Sequence, residues 1–294
     1  MNFTEFASSV KVTDGAWGTE FQKLGLPAGC MPELWNWKNP EAVASVAQGY
    51  VRAGSEVIIT NTFGANRIML SSHGLAQQTA QLAEQGVQIS KRAAGSDVKV
   101  FASMGPTGKV VMMGDTPVEE IFAAFREAAE ALAWGGADAI VLESFQELEE
   151  LRIALRAVKD ATDLPVIASM TFASGPDGTC TMMGDKPSDL AAAAVSMSAS
   201  AVGANCGAGP DNYVKVAGML KEACDLPIWI KPNAGLPIVV DRKTVFPMAP
   251  AQFAAYAPAL VQAGASFIGG CCGTTPEHIR QVKKILADKS AART

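Results

Sequence analysis

Short apolar runs alternate along the chain with longer stretches rich in alanine, leucine, glutamate and lysine. Eight of the runs are nearly continuous in apolar character, which is typical of parallel strands that are covered on both faces. They predict strands at 10–14, 57–63, 98–103, 139–143, 165–171, 201–205, 227–231 and 267–270. The stretches between them predict helices, so the pattern as a whole indicates an alternating β/α architecture.

Local sequence signals mark helix boundaries between these runs. Asn39 precedes a proline, and this pair predicts a capping side chain followed by proline at the first helical position. Thr116 also precedes a proline and has Glu119 three residues later, which is the spacing of a capping box. Gly54 comes just before the second apolar run and predicts a left-handed helix end that turns the chain back into the sheet.

Eight strand–helix units within 294 residues fit one fold class well. They correspond to about 37 residues per unit, close to the usual size of a (β/α)₈ barrel. We therefore predict an α/β protein with a single TIM barrel that occupies residues 1–294 as one domain. An open doubly wound sheet is the alternative, but no Gly-x-Gly-x-x-Gly turn follows the first predicted strand.

Composition and charge narrow the classes of function. Hydrophobic residues make up 49% of the chain and the net charge is −5, so it can bury a large core and presents no basic field for nucleic acid or an anionic membrane. The N-terminus lacks the pattern of a signal peptide, and the most apolar small-residue run, 190–204, contains three serines. We expect a cytoplasmic protein whose cysteines are reduced and available for metal binding or catalysis.

Polar residues collect where the apolar runs end. In a parallel barrel the carboxyl ends of all strands meet at one face, where the active site lies. Read in order, these ends supply Asp14, Thr60-Asn61-Thr62, Ser103, Glu143-Ser144, Thr171, Asn205-Cys206-Gly207, Asn233-Ala234-Gly235 and Cys271-Cys272-Gly273. The sequence therefore predicts one polar mouth assembled from distant segments.

Three of the six cysteines are candidates for a metal site. Cys206 ends the sixth predicted strand, and Cys271 and Cys272 follow the eighth between glycines. Only one strand separates the two positions, and three thiolates suit a tetrahedral Zn²⁺ ion with one ligand position left open. A buried cysteine pair or a vicinal disulfide is the structural alternative, and an iron–sulfur site would normally need a fourth cysteine.

The carboxylates and histidines at or near the mouth allow narrower hypotheses. Asp14 and Glu143 are able to hold a substrate ammonium group or act as acid and base, and the structural alternative is a salt bridge or helix cap. His73 and His278 are the only histidines, and neither lies at a strand end. We read both as surface or capping residues, which disfavours a histidine-rich zinc site or a Ser–His triad.

A short motif occurs twice. Met-Met-Gly-Asp stands at 112–115 and again at 182–185, followed in both cases by a proline two residues on. The offset corresponds to about two βα units, so both copies are expected at the same end of a barrel. Turn chemistry that prepares a helix start explains the motif, and a pair of loops lining a substrate mouth is the alternative.

These residues together resemble the homocysteine S-methyltransferase family over essentially the whole chain. The most specific pieces are Asn205-Cys206-Gly207 and the Gly-Cys-Cys-Gly-Thr run at 270–274. The other matching landmarks are Asp14-Gly15-Ala16-Trp17-Gly18-Thr19, Thr60-Asn61-Thr62-Phe63, Gly105-Pro106, Glu143, Ser169-Met170-Thr171-Phe172 and Pro232-Asn233-Ala234-Gly235.

The resemblance implies a zinc-dependent methyltransferase. It implies zinc ligation by Cys206, Cys271 and Cys272, and transfer of an electrophilic methyl group to the zinc-bound thiolate of homocysteine, giving methionine. It further implies that Asp14 and Glu143 lie near the homocysteine amino group, and that Gly15 and Thr62 belong to the substrate pocket. Asn233 is then the candidate for the fourth zinc position when substrate is absent.

The methyl donor stays open. The Pro-Asn-Ala-Gly-Leu-Pro run at 232–237 resembles the homocysteine module of cobalamin-dependent methionine synthase, but no Asp-x-His-x-x-Gly corrinoid signature is present. A methylcorrinoid would then come from a separate protein, whereas S-methylmethionine or betaine would be small donors. Two other functions remain: a non-catalytic zinc-binding subunit that docks a corrinoid protein, and a barrel methyltransferase with another thiol acceptor.

Overall fold

Eight parallel strands close into a barrel surrounded by helices. The computed structural model describes residues 1–27, 29–240 and 243–291. Each barrel strand pairs with its neighbour in parallel register, and a parallel bridge between Thr13 and Val57 joins the first strand to the second. This arrangement confirms the predicted (β/α)₈ barrel, and all eight predicted runs contribute a strand.

Within the described ranges, the strands are β1 Lys11–Val12, β2 Val57–Ile58, β3 Lys99–Met104, β4 Ala139–Phe145, β5 Val166–Met170, β6 Ala201–Cys206, β7 Ile228–Pro232, β8 Ile238–Val240, β9 Lys243–Val245 and β10 Ala265–Ile268. The α-helices are α1 Phe3–Phe6, α2 Gly18–Lys23, α3 Trp35–Lys38, α4 Pro40–Ala53, α5 Arg67–Ser71, α6 Thr79–Ala94, α7 Val118–Trp134, α8 Leu148–Ala161, α9 Pro187–Ser196, α10 Pro210–Ala223, α11 Pro250–Ala254, α12 Ala257–Gln262 and α13 Pro276–Ala291. Short 3₁₀ turns occupy Pro32–Leu34, Ala76–Gln78 and Val111–Met113.

An antiparallel hairpin, β8 with β9, interrupts the connection between β7 and α11. The sequence pattern did not predict it. The β8 side chains are exposed, so the described residues of this strand have no buried face whose apolar alternation would reveal it. Its continuation packs against the barrel mouth, because a Cβ atom built on Gly273 would lie only 2.2 Å from Cβ of Phe246.

Aromatic rings fill the end of the barrel that lies away from the mouth. Phe101 of β3, Trp229 of β7 and Phe267 of β10 contact one another with ring centroids 5.4–6.1 Å apart. Phe3 of α1 packs against Phe101 and Phe267, so the N-terminal helix closes this end of the barrel. These side chains are buried and form part of the continuous core of the protein. The rings provide an apolar floor on which polar side chains stand nearer the mouth.

Two of the three boundary predictions are confirmed. The Asn39 side chain accepts a hydrogen bond from the amide of Ala42 at the start of α4, and Gly54 ends that helix with φ 97°. The Thr116 capping box is wrong, because α7 begins at Val118 after Pro117 and makes no side-chain cap bond there. Pro117 itself has extended geometry (φ −57°, ψ 140°), so the helix starts one residue later than the motif indicates.

Candidate metal and substrate site

Three cysteine thiols converge at the carboxyl end of the barrel. Sγ of Cys206, Cys271 and Cys272 all lie within 4.8 Å of one another, and the Cys206 and Cys272 sulfurs are 3.9 Å apart. Two sulfurs bound to one tetrahedral zinc at the usual 2.3 Å bond length would be about 3.8 Å apart. All three side chains are half-buried. The spacing and the donor type therefore fit a zinc ion.

Asn205 fixes the strand end that presents Cys206. Its amide joins three strands: it accepts from the Ser144 amide (2.9 Å) and the Ser169 hydroxyl (2.7 Å), and donates to Ser144 Oγ (2.6 Å). Cys206 and Ser144 both have positive φ, 65° and 64°, a conformation that costs energy for residues with a side chain. The Asn205 side chain holds the turn at Ser144 by direct hydrogen bonds. It holds the turn at Cys206 because Asn205 immediately precedes that residue.

Backbone hydrogen bonds fix the loop that carries the other two thiols. The amide of Cys271 donates to the Pro232 carbonyl at 2.7 Å, and the Cys272 carbonyl accepts from Ala234 at 3.0 Å. Thr274 donates through both its amide and its hydroxyl to the Cys271 carbonyl. The loop after β10 is therefore tied to the loop after β7, and the two adjacent cysteines are held toward Cys206.

Hydrogen bonds between the three thiols shift their pKa values in opposite directions. Hydrogen bonds from Cys271 and Cys272 lower the pKa of Cys206 to about 3, and donation to Cys206 raises the pKa of Cys272 to about 12. The same donation raises the pKa of Cys271 well above its ordinary value. Sulfur is thus already the site of negative charge in the mouth, as a cation-binding cluster requires.

Asn233 lies beside the cluster with an unsatisfied atom. Its side chain helps to lower the pKa of Cys206 and is 3% exposed, while its Oδ1 is buried and has no hydrogen-bond partner among the described residues. An orphaned buried carbonyl oxygen is costly unless a ligand or water meets it. This oxygen is therefore a further candidate donor at the metal site.

Asp14 is part of a buried ion pair. Its Oδ1 lies 2.5 Å from Nζ of Lys231, and its Oδ2 accepts from Trp17 Nε1 (2.7 Å) and the Ile59 amide (2.8 Å). Both charged side chains are almost completely inaccessible. Sequence reasoning gave Lys231 no role, although a lysine that ends an apolar strand is itself a sign of an interior charge.

Glu143 is the second buried carboxylate of the mouth. Its Oε1 accepts the hydroxyl of Ser103 at 2.5 Å, and the side chain belongs to β4, across the barrel from β7. Burial raises the pKa of the Glu143 carboxyl, and the positive charge of Lys231 opposes that rise. Asp14, Lys231, Glu143 and Ser103 form what we call the polar layer, which stands on the aromatic floor since Lys231 Nζ lies 5.5 Å from the Trp229 ring centroid.

The other two predicted substrate residues are packed into the mouth. Thr62 is buried, and its hydroxyl donates to the Ser103 carbonyl (2.6 Å). The same hydroxyl also lies within hydrogen-bond distance of the Thr60 hydroxyl. Gly15 lies against Tyr50 and Thr274, where a Cβ atom would come within 2.8 Å of both side chains. Both residues therefore shape the wall beside the polar layer.

The two Met-Met-Gly-Asp loops lie next to each other at the rim, at the same end of the barrel as expected. Met112, Met183 and Asp185 line a cleft of about 340 Å³ together with residues at the start of α8. Asp185 accepts from the amide of Leu148 (3.1 Å), but the described contacts give Asp115 no equivalent bond. Among the described contacts, the aspartate of the motif therefore accepts a hydrogen bond from the start of α8 only in the second copy.

The two histidines differ in burial. His73 is exposed, as predicted. His278 is buried and confirms the capping alternative of the prediction: its Nδ1 accepts from the Thr275 amide at the start of α13, and its Nε2 lies 3.0 Å from the Met248 carbonyl. It therefore acts as a capping residue. The remaining cysteines lie apart from the cluster, Cys30 being exposed and Cys180 and Cys224 half-buried.

Fold and site together define a class of protein: a (β/α)₈ barrel with a three-thiol cluster and buried carboxylates at the carboxyl ends of its strands. The family model for homocysteine S-methyltransferase matches residues 11–286. The chain belongs to the homocysteine S-methyltransferase family. No described helix has the length and apolar character needed to cross a bilayer.

The relatives in sequence differ in how much of their own length this chain covers. Methionine synthase of Mycobacterium tuberculosis is 33% identical over 298 residues, which cover 95% of this chain and 25% of that protein. Betaine–homocysteine S-methyltransferase 1 of Danio rerio is 29% identical over 302 residues, covering 96% of this chain and 74% of that protein. The chain thus spans about a quarter of the length of the methionine synthase it matches.

Solved structures show the same barrel. The metallated form of the homocysteine methyltransferase MmuM from Escherichia coli superposes with a TM-score of 0.79 at 25% identity, covering 97% of this chain and 99% of that one. The oxidized form of the same enzyme gives a TM-score of 0.77 at 26% identity. The likeness covers nearly the full length of both chains.

Proposed function

We propose that this chain transfers a methyl group to the thiol of homocysteine, forming methionine. The observation that carries the proposal is the cluster of Cys206, Cys271 and Cys272 at the mouth of a barrel of this family. The relatives named for homocysteine methyl transfer support the acceptor. A reducing compartment such as the cytoplasm suits a site built from three free thiols.

Zinc is the metal that the residues fit. Cys206, Cys271 and Cys272 would hold it, and Asn233 Oδ1, which accepts no hydrogen bond from the described residues, would complete the ligand set when no acceptor thiol is present. A bound zinc ion would supply the Lewis acidity that keeps an acceptor thiol deprotonated at neutral pH.

The chain's own residues hold and orient the acceptor. The polar layer lies near enough to the thiols for the charges of Cys206 and Cys271 to act on Glu143 and Lys231, and it provides carboxylate charge for the ammonium group of an amino acid. Thr62 and Gly15 shape the adjoining wall, so that the acceptor sulfur is directed to the cysteines. The buried Asn205 network keeps Cys206 in place while substrate enters.

Two kinds of methyl donor remain candidates. A small donor such as betaine or S-methylmethionine agrees with relatives that act as homocysteine methyltransferases. A methylcorrinoid carried by a separate protein agrees with the match to methionine synthase. Exposed apolar side chains at the rim, including Met112, Met182 and Val239, support the second donor because they offer contact area to a protein.

The test is to supply zinc-loaded protein with homocysteine and, separately, S-methylmethionine, betaine and methylcobalamin, and to measure methionine by mass spectrometry. We expect methionine with at least one donor, and loss of both stoichiometric zinc and turnover in Cys272→Ser. Cys224→Ser, which changes a half-buried cysteine outside the cluster, is the matched control. Zinc binding without methionine from any donor would indicate a non-catalytic docking subunit, and turnover only with another thiol would indicate a different acceptor.

A further inference from the structure

Lys231 is a fully buried lysine in the interior of the barrel. Its side chain is 2% exposed and that of its partner Asp14 is 0% exposed. A buried ammonium group is costly unless it is paired, and here Asp14 provides the pair at 2.5 Å. The lysine therefore carries its charge inside the site.

Asp14 has little capacity left for a ligand. Its Oδ1 is taken by Lys231, and its Oδ2 accepts from both Trp17 Nε1 and the Ile59 amide. A carboxylate offers about four acceptor positions, so three of them are occupied by the chain itself. Its charge is matched by the lysine and its geometry is fixed by the two further donors.

Glu143 differs from Asp14 in this respect. Its Oε1 accepts from Ser103, and its Oε2 accepts no hydrogen bond from the described residues. It is also 5% exposed, whereas Asp14 is completely buried. Of the two carboxylates in the polar layer, Glu143 is thus the one with an oxygen and a charge still available to a ligand.

We propose that Lys231 is a positioning residue that limits the charge presented to the acceptor: it neutralises Asp14, so that the mouth presents one carboxylate charge, that of Glu143, to one substrate ammonium group. The inference rests on the proposed function, in which the acceptor is homocysteine. A thiol without an amino group would leave Glu143 buried and unpaired, and such a site rejects it. Asp14 then supports the site through Lys231 and Trp17 without contacting the amino group.

The experiment compares the binding of homocysteine and 4-mercaptobutyrate, which lacks only the amino group, to zinc-loaded protein by calorimetry. The measured quantity is the ratio of the two affinities, which does not depend on a methyl donor. We expect the wild-type protein to prefer homocysteine by about tenfold or more, since a hydrogen bond between charged groups is lost with the analogue. Glu143→Gln is expected to reduce the ratio to about one.

The lysine is tested by a single and a double variant. In Lys231→Met the charge of Asp14 is unpaired and adds to that of Glu143, so the ratio should rise. In the charge-balanced variant Asp14→Asn/Lys231→Met, the ratio should stay within about threefold of wild type even where both affinities fall together. A general structural role would weaken both thiols equally. If Lys231→Met does not fold, Asp14→Asn alone decides: it leaves the Lys231 charge unmatched beside Glu143, so the ratio should fall toward one.

Three outcomes overturn the inference: a wild-type ratio near one, a fall of the ratio in the double variant to that of Glu143→Gln, or a ratio in Lys231→Met that does not rise above that of the wild type. The first would leave the thiol-binding function intact while removing amino-group recognition. Failure of the proposed function is distinguishable, because the zinc-loaded wild-type protein would then bind neither thiol.

Discussion

At the scale of single residues, the site depends on backbone positions that most side chains avoid. Cys206 and Ser144 have positive φ, and Gly273 has φ 82° immediately after the cysteine pair. These conformations turn strand ends sharply enough to bring side chains from different loops together. The buried amide of Asn205 and the close packing of Phe246 stabilise those turns.

Gly273 provides a prediction about crowding beside the thiols. Alanine there would combine a positive φ with a Cβ atom 2.2 Å from Phe246, whereas alanine at Gly184, with φ 92°, meets nothing within 4 Å. We expect Gly184→Ala to lower the free energy of unfolding by about 1–2 kcal/mol from backbone strain alone. Gly273→Ala should cost more and should also reduce zinc stoichiometry, measured by chemical denaturation and metal analysis. Equal effects of the two substitutions would contradict this account.

At the scale of elements, helix starts follow hydrogen bonds rather than motifs alone. Asn39 caps α4 and accepts from the Ala42 amide, whereas Thr116 precedes Pro117 and α7 begins only at Val118. Both positions have a capping residue before a proline, yet only the first has the backbone placed to use it. The β8–β9 hairpin is a similar case, since its exposed residues have no buried face to give a pattern.

Asn39 and Thr116, each followed by a proline, give a matched pair of substitutions. Asn39→Ala removes the cap of α4 and should lower the free energy of unfolding by about 1 kcal/mol. Thr116→Ala removes no cap bond and should change it by less than about 0.5 kcal/mol. Urea denaturation of both variants measures the difference. A cost for Thr116→Ala as large as that for Asn39→Ala would show that α7 is capped from Thr116 in solution.

At the scale of the whole molecule, the barrel connects segments that are distant in sequence. The thiols come from the ends of β6 and β10, with β7 between them, and the ion pair of the polar layer joins β1 to β7 across β10. The loops are tied by the bond from the Cys271 amide to the Pro232 carbonyl. A metal bound by these thiols would therefore link both loops and stabilise the folded state over the unfolded chain.

Removal of zinc is the corresponding prediction. A ligand at a hundredfold excess over its Kd stabilises the native state by about 2.7 kcal/mol, so chelation should lower Tm by several degrees. Cys272→Ser should have a Tm that no longer responds to chelator, while Cys224→Ser should respond like wild type. Differential scanning calorimetry with and without chelator measures this. A wild-type response in Cys272→Ser would show that the stabilising metal binds elsewhere.

The sequence by itself determined the eight barrel strands, the fold class and the placement of Cys206, Cys271 and Cys272 at one mouth. Apolar runs are local, and parallel strands that close into a barrel present all their carboxyl ends on one face. Only the tertiary structure decided that Asp14 pairs with Lys231, and that Glu143 Oε2 accepts no hydrogen bond from the described residues. That choice depends on which interior side chains reach one another across the barrel, a distance that no spacing along the chain encodes.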